Sequence, residues 1–549
     1  MHIRSILPEW EILIVNRLVY KRLFVVSIKY LPKSFSFTIS LTLLLSGLLL
    51  VSPLAFTFVD PTTLLRGAAA QEHVLHNRPP PSPDINDPNL QVEEVVEGLE
   101  LPTSMAFLGE NDILVTEKDS GRVQRIVDGE LQEEPVIDVQ VANNDERGLL
   151  GIDISNTNGT GTANNEQYVF LYFTESGGGA DGDDWSEGIS PAGTRLYRYN
   201  IVPGIAEDDN DAQVQLTNET LLLDLPATPG PRYHGGPVAI GPDNNVYVVI
   251  GTLDHHETQA QNFEDAPRPD GTSGVMRITQ EGEAEDIQGV ISDENPLNLY
   301  YAYGMRQSFG MEFDPVTGNL WDTENGPDQY DELNLVEPGF NSGWRDVSGL
   351  AERASDLNIE EDLVDFDGKG KYSDPEFTWQ QTVAPTGLDF LDSSALGAAY
   401  QNDLFVGDYN NGNLYHFDLN ENRTQLVLGG GLADRAMDPG DEVGDILFGT
   451  GFGGITDVKV GPDGYLYVLT FQDEGGSIFR IVPENLDTDD TDDDTDEAEA
   501  VEETATTASD TDADDTDEAE AVEETADDTG VPSLAQILAE RITRNTLNQ

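Results

Sequence analysis

Short apolar runs separated by polar turn residues recur along the chain between residues 92 and 484. Each unit combines an apolar strand, a turn built from Gly, Pro, Asp or Asn, and a second strand rich in Val, Tyr and Phe. We count six copies, at 104–126, 148–201, 238–278, 309–336, 387–419 and 458–481. Because repeats of a few strands cannot bury both faces alone, they must stack on their neighbours. The pattern predicts an all-β fold, a six-bladed β-propeller.

The two ends of the chain depart from this repeat. Residues 35–59 carry no charge, follow a basic flank and are long enough to span a bilayer of about 30 Å. We predict a signal peptide or membrane anchor over 1–70, hence an extracytoplasmic protein, either secreted or anchored to the outer face of the cell membrane. A Pro-rich linker is expected over 71–91, the propeller over 92–484, a disordered acidic repeat tail over 485–530 and a short amphipathic helix over 531–549.

The formal net charge of −75 and the absence of cysteine narrow the possible functions. A surface this rich in carboxylates repels polyanions, so nucleic acid is not an expected partner. Without cysteine, disulfides, thiolate metal sites and cysteine nucleophiles are excluded. Because the Debye length falls to about 3 Å at 1 M salt, high salt would screen the self-repulsion. We therefore expect an acidic, salt-adapted (halophilic) protein.

Four motifs lie on this frame in a fixed order. They are E-R-G-L-L-G at 146–151, Y-H-G-G-P at 233–237, Y-G-M-R-Q at 303–307 and E-N-G-P-D-Q-Y-D-E-L-N at 324–334, the last followed by G-F-N-S-G-W at 339–344. Their order and spacing resemble the soluble glucose/sorbosone dehydrogenases, also called aldose sugar dehydrogenases. This resemblance implies a six-bladed propeller that uses pyrroloquinoline quinone (PQQ) and Ca²⁺. It implies oxidation of an aldose, the small-molecule partner, to its lactone by hydride transfer to the quinone, with an external electron acceptor.

The resemblance also implies two catalytic residues. His234 would accept the proton of the substrate hydroxyl, and Arg306 would stabilise the charge that develops on the quinone. The family's usual order is His-Asn-Gly-Gly, whereas this chain has Tyr-His-Gly-Gly. Aligned without a gap, Tyr233 takes the place of the histidine. Either the loop slips by one residue or the base lies elsewhere.

Further residues are implied for the cofactor and the metal. Glu146 and Gln307 would line the quinone pocket together with Arg306. The carbonyl groups of Gly326 and Pro327 would meet the cofactor's calcium, and Glu332 would ligate a further calcium, because hard oxygen ligands on a flexible turn suit this ion.

The last two repeats depart from the family pattern. Asp392, Gly454 and Thr456 stand where the best-known members carry a lysine and two arginines that hold the carboxylates of the quinone. Either another set of contacts holds the quinone or the site has been lost. The alternative function is therefore a non-catalytic exported propeller that binds a glycan or a protein. A propeller hydrolase such as a lactonase, with carboxylates around an axial metal, is a third possibility.

Overall fold

The computed structural model describes residues 82–484, except 156–166, 185, 204–213, 255, 283–288, 355–356, 441–442 and 473–474. The predicted signal or anchor segment, the acidic tail and the C-terminal helix lie outside the described residues. Within this range no helix is long and apolar enough to cross a membrane. Its one α-helix with a described position is α1 (Ile359–Asp362), and four short 3-10 helices lie at Gln259–Gln261, Leu297–Leu299, Ala351–Arg353 and Gly430–Asp434.

Nearly all regular structure is β-strand, as the repeat predicts. In chain order the first strands are β1 (Asp84–Ile85), β2 (Leu90–Leu99), β3 (Pro102–Gly109), β4 (Asp112–Glu117), β5 (Arg122–Val127), β6 (Glu130–Leu131), β7 (Ile137–Asp138), β8 (Leu149–Ile154), β9 (Tyr168–Ser176), β10 (Pro191–Pro203), β11 (Val214–Leu225), β12 (Val238–Ile240), β13 (Val246–Ile250), β14 (Gly274–Ile278) and β15 (Tyr300–Tyr303). The remaining strands are β16 (Ser308–Phe313), β17 (Leu320–Glu324), β18 (Asp331–Val336), β19 (Phe340–Asn341), β20 (Lys371–Tyr372), β21 (Phe377–Trp379), β22 (Pro385–Phe390), β23 (Leu404–Asp408), β24 (Leu414–Phe417), β25 (Ala436–Met437), β26 (Leu447–Thr450), β27 (Gly454–Val460), β28 (Leu466–Gln472) and β29 (Gly475–Pro483).

The described strands form six sheets, and each predicted repeat falls in a different one. From the innermost strand outward, their orders are β3-β4-β5-β6 with β7 also on β5, β8-β9-β10-β11, β12-β13-β14-β15-β19-β20, β16-β17-β18-β21-β25, β22-β23-β24-β26-β1 and β27-β28-β29-β2. The innermost strands contact one another in a closed ring, β3, β8, β12, β16, β22, β27 and back to β3. The predicted β-propeller is therefore confirmed.

The N-terminal strands close this ring. β2 pairs antiparallel with β29, so the last sheet combines both ends of the described chain. β1 pairs with β26, where Asp84 lies opposite Thr450 and Ile85 opposite Gly449. Asp84, Ile85, Leu90 and Gln91, which the Pro-rich composition assigned to the linker, thus belong to the sheets. The physical reason is that two residues with one apolar side chain give too weak a pattern to detect, while sheet edges bind any extended backbone.

Buried side chains fill the space between the sheets. Among the described residues there are six hydrophobic clusters, and each is built from two neighbouring sheets. Three aspartates on innermost strands add polar links from one sheet to the next. Asp153 accepts a hydrogen bond from the Ile240 backbone N–H (2.8 Å), Asp389 from Val460 (2.7 Å) and Asp457 from Met105 (2.9 Å). Burial between sheets and these links hold the ring around one axis.

Candidate functional site

A cavity of about 440 Å³ lies on the axis of the ring. All six innermost strands or their first residues contribute to its wall, including Thr103, Leu150, Val238, Met311, Leu388 and Lys459. At one end the wall continues into loops that carry Glu146, Gly235, Asn325 and Tyr409. Each of these loops either precedes an innermost strand or follows the second strand of a sheet. Because the two strands are antiparallel, the start of one and the end of the other lie on the same side of the ring. We call this end of the cavity the mouth.

Glu146 is the carboxylate that the mouth holds most firmly. Its Oε2 atom accepts hydrogen bonds from the Tyr233 backbone N–H (2.6 Å) and from Gln307 Nε2 (2.9 Å). Gln307 Oε1 in turn accepts the Gly235 backbone N–H at 3.0 Å. Burial raises the pKa of the Glu146 carboxyl to about 7, against the opposing effect of the Tyr233 N–H. A carboxyl group with this pKa exchanges a proton near neutral pH.

Gly235 lets this loop approach the neighbouring sheet. Its φ is +75°, and a Cβ atom there would lie 2.1 Å from the Val249 carbonyl oxygen. Only glycine fits such a position without moving the backbone. The structure thus brings Glu146, Gln307 and the Gly-Gly loop together, as the motifs predicted. The sequence did not show that Gln307 lies between the other two and bonds to both.

His234 does not lie at the mouth. Its side chain is fully buried against the second sheet, with Nδ1 3.1 Å from Thr194 Oγ1 and Nε2 3.1 Å from the Gly230 carbonyl oxygen. Burial, helped by the charge of Arg147, lowers the pKa of the imidazole to about 3. The predicted role of base is therefore not supported. The physical reason lies one residue earlier: Tyr233 adopts a left-handed φ of +62°, and its ring packs against Arg306 while the next side chain, His234, is buried.

Arg306 lies beside the mouth but is not among the described residues that line the cavity. Its guanidinium is 4.1 Å from the centre of the Tyr233 ring and 5.4 Å from that of Trp344. Nη1 donates to the carbonyl oxygens of Asn325 (2.7 Å) and Gly326 (3.0 Å). Arg306 thus holds the Asn325–Gly326 turn in place. The two predicted catalytic residues, Arg306 and His234, therefore do not line the cavity together.

The oxygen atoms of this turn fit a hard cation. The Asn325 side-chain Oδ1 is buried and accepts no hydrogen bond, and it belongs to the cavity wall. The Gly326 carbonyl oxygen keeps a second lone pair beside its bond to Arg306. With the carbonyl group of the exposed Pro327 next in the chain, the turn offers an oxygen-only donor set of the kind that calcium prefers.

Glu332 lies in a separate, fully buried group of acids between the third and fourth sheets. Glu324 and Asp322 lie on the same face of the β17–β18 pair, opposite Glu332 and Asn334. Burial raises the pKa values of Asp322 to about 8 and of Glu324 to about 7, and that of Glu332 also rises. Oδ1 of Asp322 and Oδ1 of Asn334 are buried without a hydrogen-bond donor. Unpaired buried oxygens among carboxylates are unfavourable without a cation, so the group fits a second calcium, as Glu332 alone had suggested.

The three positions that lack the family's basic residues, Thr456, Gly454 and Asp392, differ in where they lie relative to the cavity. Thr456 lines the cavity. A Cβ atom on Gly454 would lie 2.7 Å from the Tyr409 ring, so any side chain at this position would have to displace that ring. Asp392 follows the end of β22 that lies away from the mouth, and it is not among the described residues of the cavity wall.

Two lysines are the cationic residues of the described cavity wall. Lys118 donates to Asp119 and to the carbonyl oxygens of Asp145 (2.9 Å) and Arg147 (3.1 Å), and Lys459 donates to Glu312 at 2.6 Å. The volume of the cavity and its glycine wall fit a planar cofactor, and the Asn325–Gly326 turn fits its metal. The carboxylates of a quinone would need a contact set different from the family's, and Lys118 is the cationic residue of the described cavity wall that lies at the mouth.

Sequence reasoning assigned no role to three residues of this site. Tyr233 had a usable signal, because the alignment without a gap already placed it at the histidine position. Lys459 is one of four lysines after residue 70, and an isolated lysine in an apolar strand is a detectable feature. Asn325 gave no signal beyond its place in the motif, since only the fold shows that its oxygen lacks a partner.

Comparisons with known proteins agree with this geometry. Residues 99–480 match the family model described as glucose/sorbosone dehydrogenase. The chain is 24% identical to the aldose sugar dehydrogenase YliI of Escherichia coli over 401 residues, covering 72% of this chain and 94% of that protein. It is 26% identical to quinoprotein glucose dehydrogenase B of Acinetobacter calcoaceticus over 282 residues, covering 48% and 54%. Among solved structures, an oxidoreductase of Thermus thermophilus described as a glucose dehydrogenase superposes with a TM-score of 0.51 at 26% identity, covering 72% of this chain and 100% of that chain.

Proposed function

Because the chain belongs to the glucose/sorbosone dehydrogenase family, we propose that it is an oxidoreductase that converts an aldose, or a related alcohol, to its lactone with PQQ and Ca²⁺. The observation that carries this proposal is the family match over 99–480 combined with a cavity on the ring axis, whose wall includes residues of the first, second and fourth motifs. When bound, the quinone supplies the two-electron acceptor that oxidation of a CH–OH group requires.

In this proposal Glu146 accepts the proton of the substrate hydroxyl. Two N–H donors hold its Oε2 atom, so its orientation is set before substrate arrives. No described hydrogen bond uses Oε1, which leaves that atom to take the hydroxyl proton. The hydride on the hydroxyl-bearing carbon would pass to the two-electron acceptor that the quinone supplies. A pKa of about 7 lets the carboxylate take up the proton near neutral pH and release it again.

The remaining residues position this chemistry. Arg306 holds the Asn325–Gly326 turn, whose oxygens, with that of Pro327, bind the calcium beside the cavity. Gln307 bonds to both Glu146 and the Gly-Gly loop, so a shift of the loop also moves the Glu146 carboxylate. Preorganised groups of this kind act without reorganisation during the reaction.

One observation favours the alternative, a non-catalytic propeller that binds a glycan or a protein. Both lysines of the cavity wall are already paired, so the carboxylates of a quinone meet an acidic protein with few free cations. We therefore expect quinone binding to be weak at low salt and to strengthen as salt screens the repulsion.

The test uses the purified full chain in molar NaCl with PQQ and Ca²⁺, and measures dye reduction by a panel of aldoses. We expect sugar-dependent reduction that falls about 10²–10⁴-fold in Glu146→Gln. The matched variant Glu264→Gln, at an exposed position, keeps the wild-type rate. If PQQ does not bind at any salt concentration, the oxidoreductase proposal fails and the binding module takes its place.

Three further proposals accompany this function. The six sheets correspond to six blades, one for each sequence repeat. The charge-free segment 35–59 exports the protein or anchors it at the outer face of the membrane, where an external acceptor takes the electrons. The acidic surface adapts the protein to high salt.

A further inference from the structure

A cluster of one histidine and two aspartates lies on the fifth sheet, away from the mouth. Asp403 directly precedes β23, His416 is in β24, and Asp418 directly follows β24. Phe405 of β23 lies directly opposite His416 of β24. Because side chains two residues apart along a strand share a face, Asp403 lies on the face of Phe405 and Asp418 on the face of His416. The other end of β23 leads to Tyr409 at the cavity mouth, so the cluster is separate from the proposed active site.

The three side chains already converge. His416 Nε2 lies 3.0 Å from Asp403 Oδ2 and 3.6 Å from Asp418 Oδ1, and all three ligand atoms are within 4.8 Å of one another. Zinc bound tetrahedrally at about 2.0–2.1 Å from each ligand sets neighbouring ligand atoms about 3.4 Å apart. The observed distances from Nε2 lie on either side of that value, so closure around an ion requires only small side-chain movements.

The imidazole is held in this orientation by aromatic neighbours. Its ring centre is 5.0 Å from that of Phe405 and 5.2 Å from that of Tyr400, which meets it edge-on at 80°. A ligand fixed by packing loses little freedom when it binds an ion. His416 and Tyr400 also line a surface cavity of about 260 Å³, together with Asp87 and Asp445, so water and cations reach the cluster.

The imidazole can satisfy only one of the two carboxylates through Nε2. Nε2 carries at most one proton and satisfies one carboxylate, while the second carboxylate remains close to the first. A divalent cation would neutralise both carboxylates at once.

We propose that Asp403, His416 and Asp418 form a three-ligand site for a first-row divalent cation such as Zn²⁺, with water from the adjoining cavity as the fourth ligand. One imidazole nitrogen with two carboxylate oxygens selects this class over Ca²⁺ and Mg²⁺, which prefer oxygen ligands alone. The site is independent of the proposed dehydrogenase function.

The experiment is calorimetric titration of the chelator-treated full chain with Zn²⁺ in a large excess of Mg²⁺, which occupies the general acidic surface. We expect one equivalent of Zn²⁺ to bind per chain. We also expect one equivalent of Co²⁺ to bind at the same site and to give a visible absorption spectrum typical of Co²⁺ with a nitrogen ligand. His416→Ala and Asp418→Asn should each weaken binding at least about tenfold, because loss of even an outer-shell partner costs that much. Asp418 is 60% exposed, so its replacement leaves the fold intact.

His256→Ala is the matched control, because His256 pairs with the single carboxylate of Asp270 (Nε2 to Oδ2, 2.5 Å) and should leave Zn²⁺ affinity unchanged. The proposal is overturned if the wild type binds no stoichiometric Zn²⁺, or if excess Mg²⁺ displaces Zn²⁺ from it. It is also overturned if the wild type and the two cluster variants bind Zn²⁺ with equal affinity.

Discussion

Replacing Lys459 by methionine tests whether one cation holds the centre of the ring together. Its Nζ atom lies 2.6 Å from Glu312 Oε2, and the carboxylates of Asp153, Asp389 and Asp457 also raise its pKa. Removing one partner of a buried pair costs about 3–5 kcal/mol, because the other charge is left uncompensated. Because Lys459 is 19% exposed and lines the axial cavity, we expect a loss at the lower end of this range. The unfolding free energy should fall by about 3 kcal/mol.

The assay is equilibrium denaturation of the full chain in guanidinium chloride. Arg268→Met serves as a control, because Arg268 and Glu294 are both about two-thirds exposed and such a pair contributes at most about 1 kcal/mol. Glu312→Gln in the Lys459→Met background should recover part of the loss, which a double-mutant cycle measures. Equal destabilisation by Lys459→Met and Arg268→Met, or additivity with Glu312→Gln, would refute the reasoning.

Four other expectations concern the site and the surface. If the reconstituted enzyme uses Glu146 as its base, the rate should be half-maximal near pH 7 and fall about tenfold per pH unit below it, because protonation removes the base; a flat profile between pH 5 and 8 contradicts this role. His234→Ala should lower the unfolding free energy by about 2 kcal/mol in chemical denaturation, since it removes a buried, hydrogen-bonded ring; an unchanged stability with a lost rate would restore it as a catalytic candidate. Chelation of calcium should lower the melting temperature of the wild type more than that of Glu332→Gln, which keeps only the site at the Asn325–Gly326 turn, and equal shifts in both would remove Glu332 from the metal site. The melting temperature should rise between millimolar and molar NaCl, and a constant value would argue against salt adaptation.

Much of the site follows from the sequence motifs, and the part that does not depends on side-chain direction. Glu146, Gln307 and the Gly-Gly loop meet at the mouth because each sits at a fixed place in its repeat, and a propeller brings equivalent loops to one end. His234 is different, because the sign of φ at Tyr233 decides whether the next side chain faces the cavity or the second sheet. Non-glycine residues adopt positive φ rarely, so local sequence preferences do not announce it.

The linear pattern of short strands and turns was sufficient to predict a β-propeller, because strand alternation and turn chemistry act between neighbours in the chain. Contacts between residues far apart in the chain were decided only on folding. Lys459 is close to the carboxylates of Glu312 and Asp153, both far away along the chain, because closing the ring brings the innermost strands around one axis. The partners of a charge, the buried state of an imidazole and the unpaired oxygen of Asn325 are properties of that closure, since burial and distance exist only once the sheets have packed.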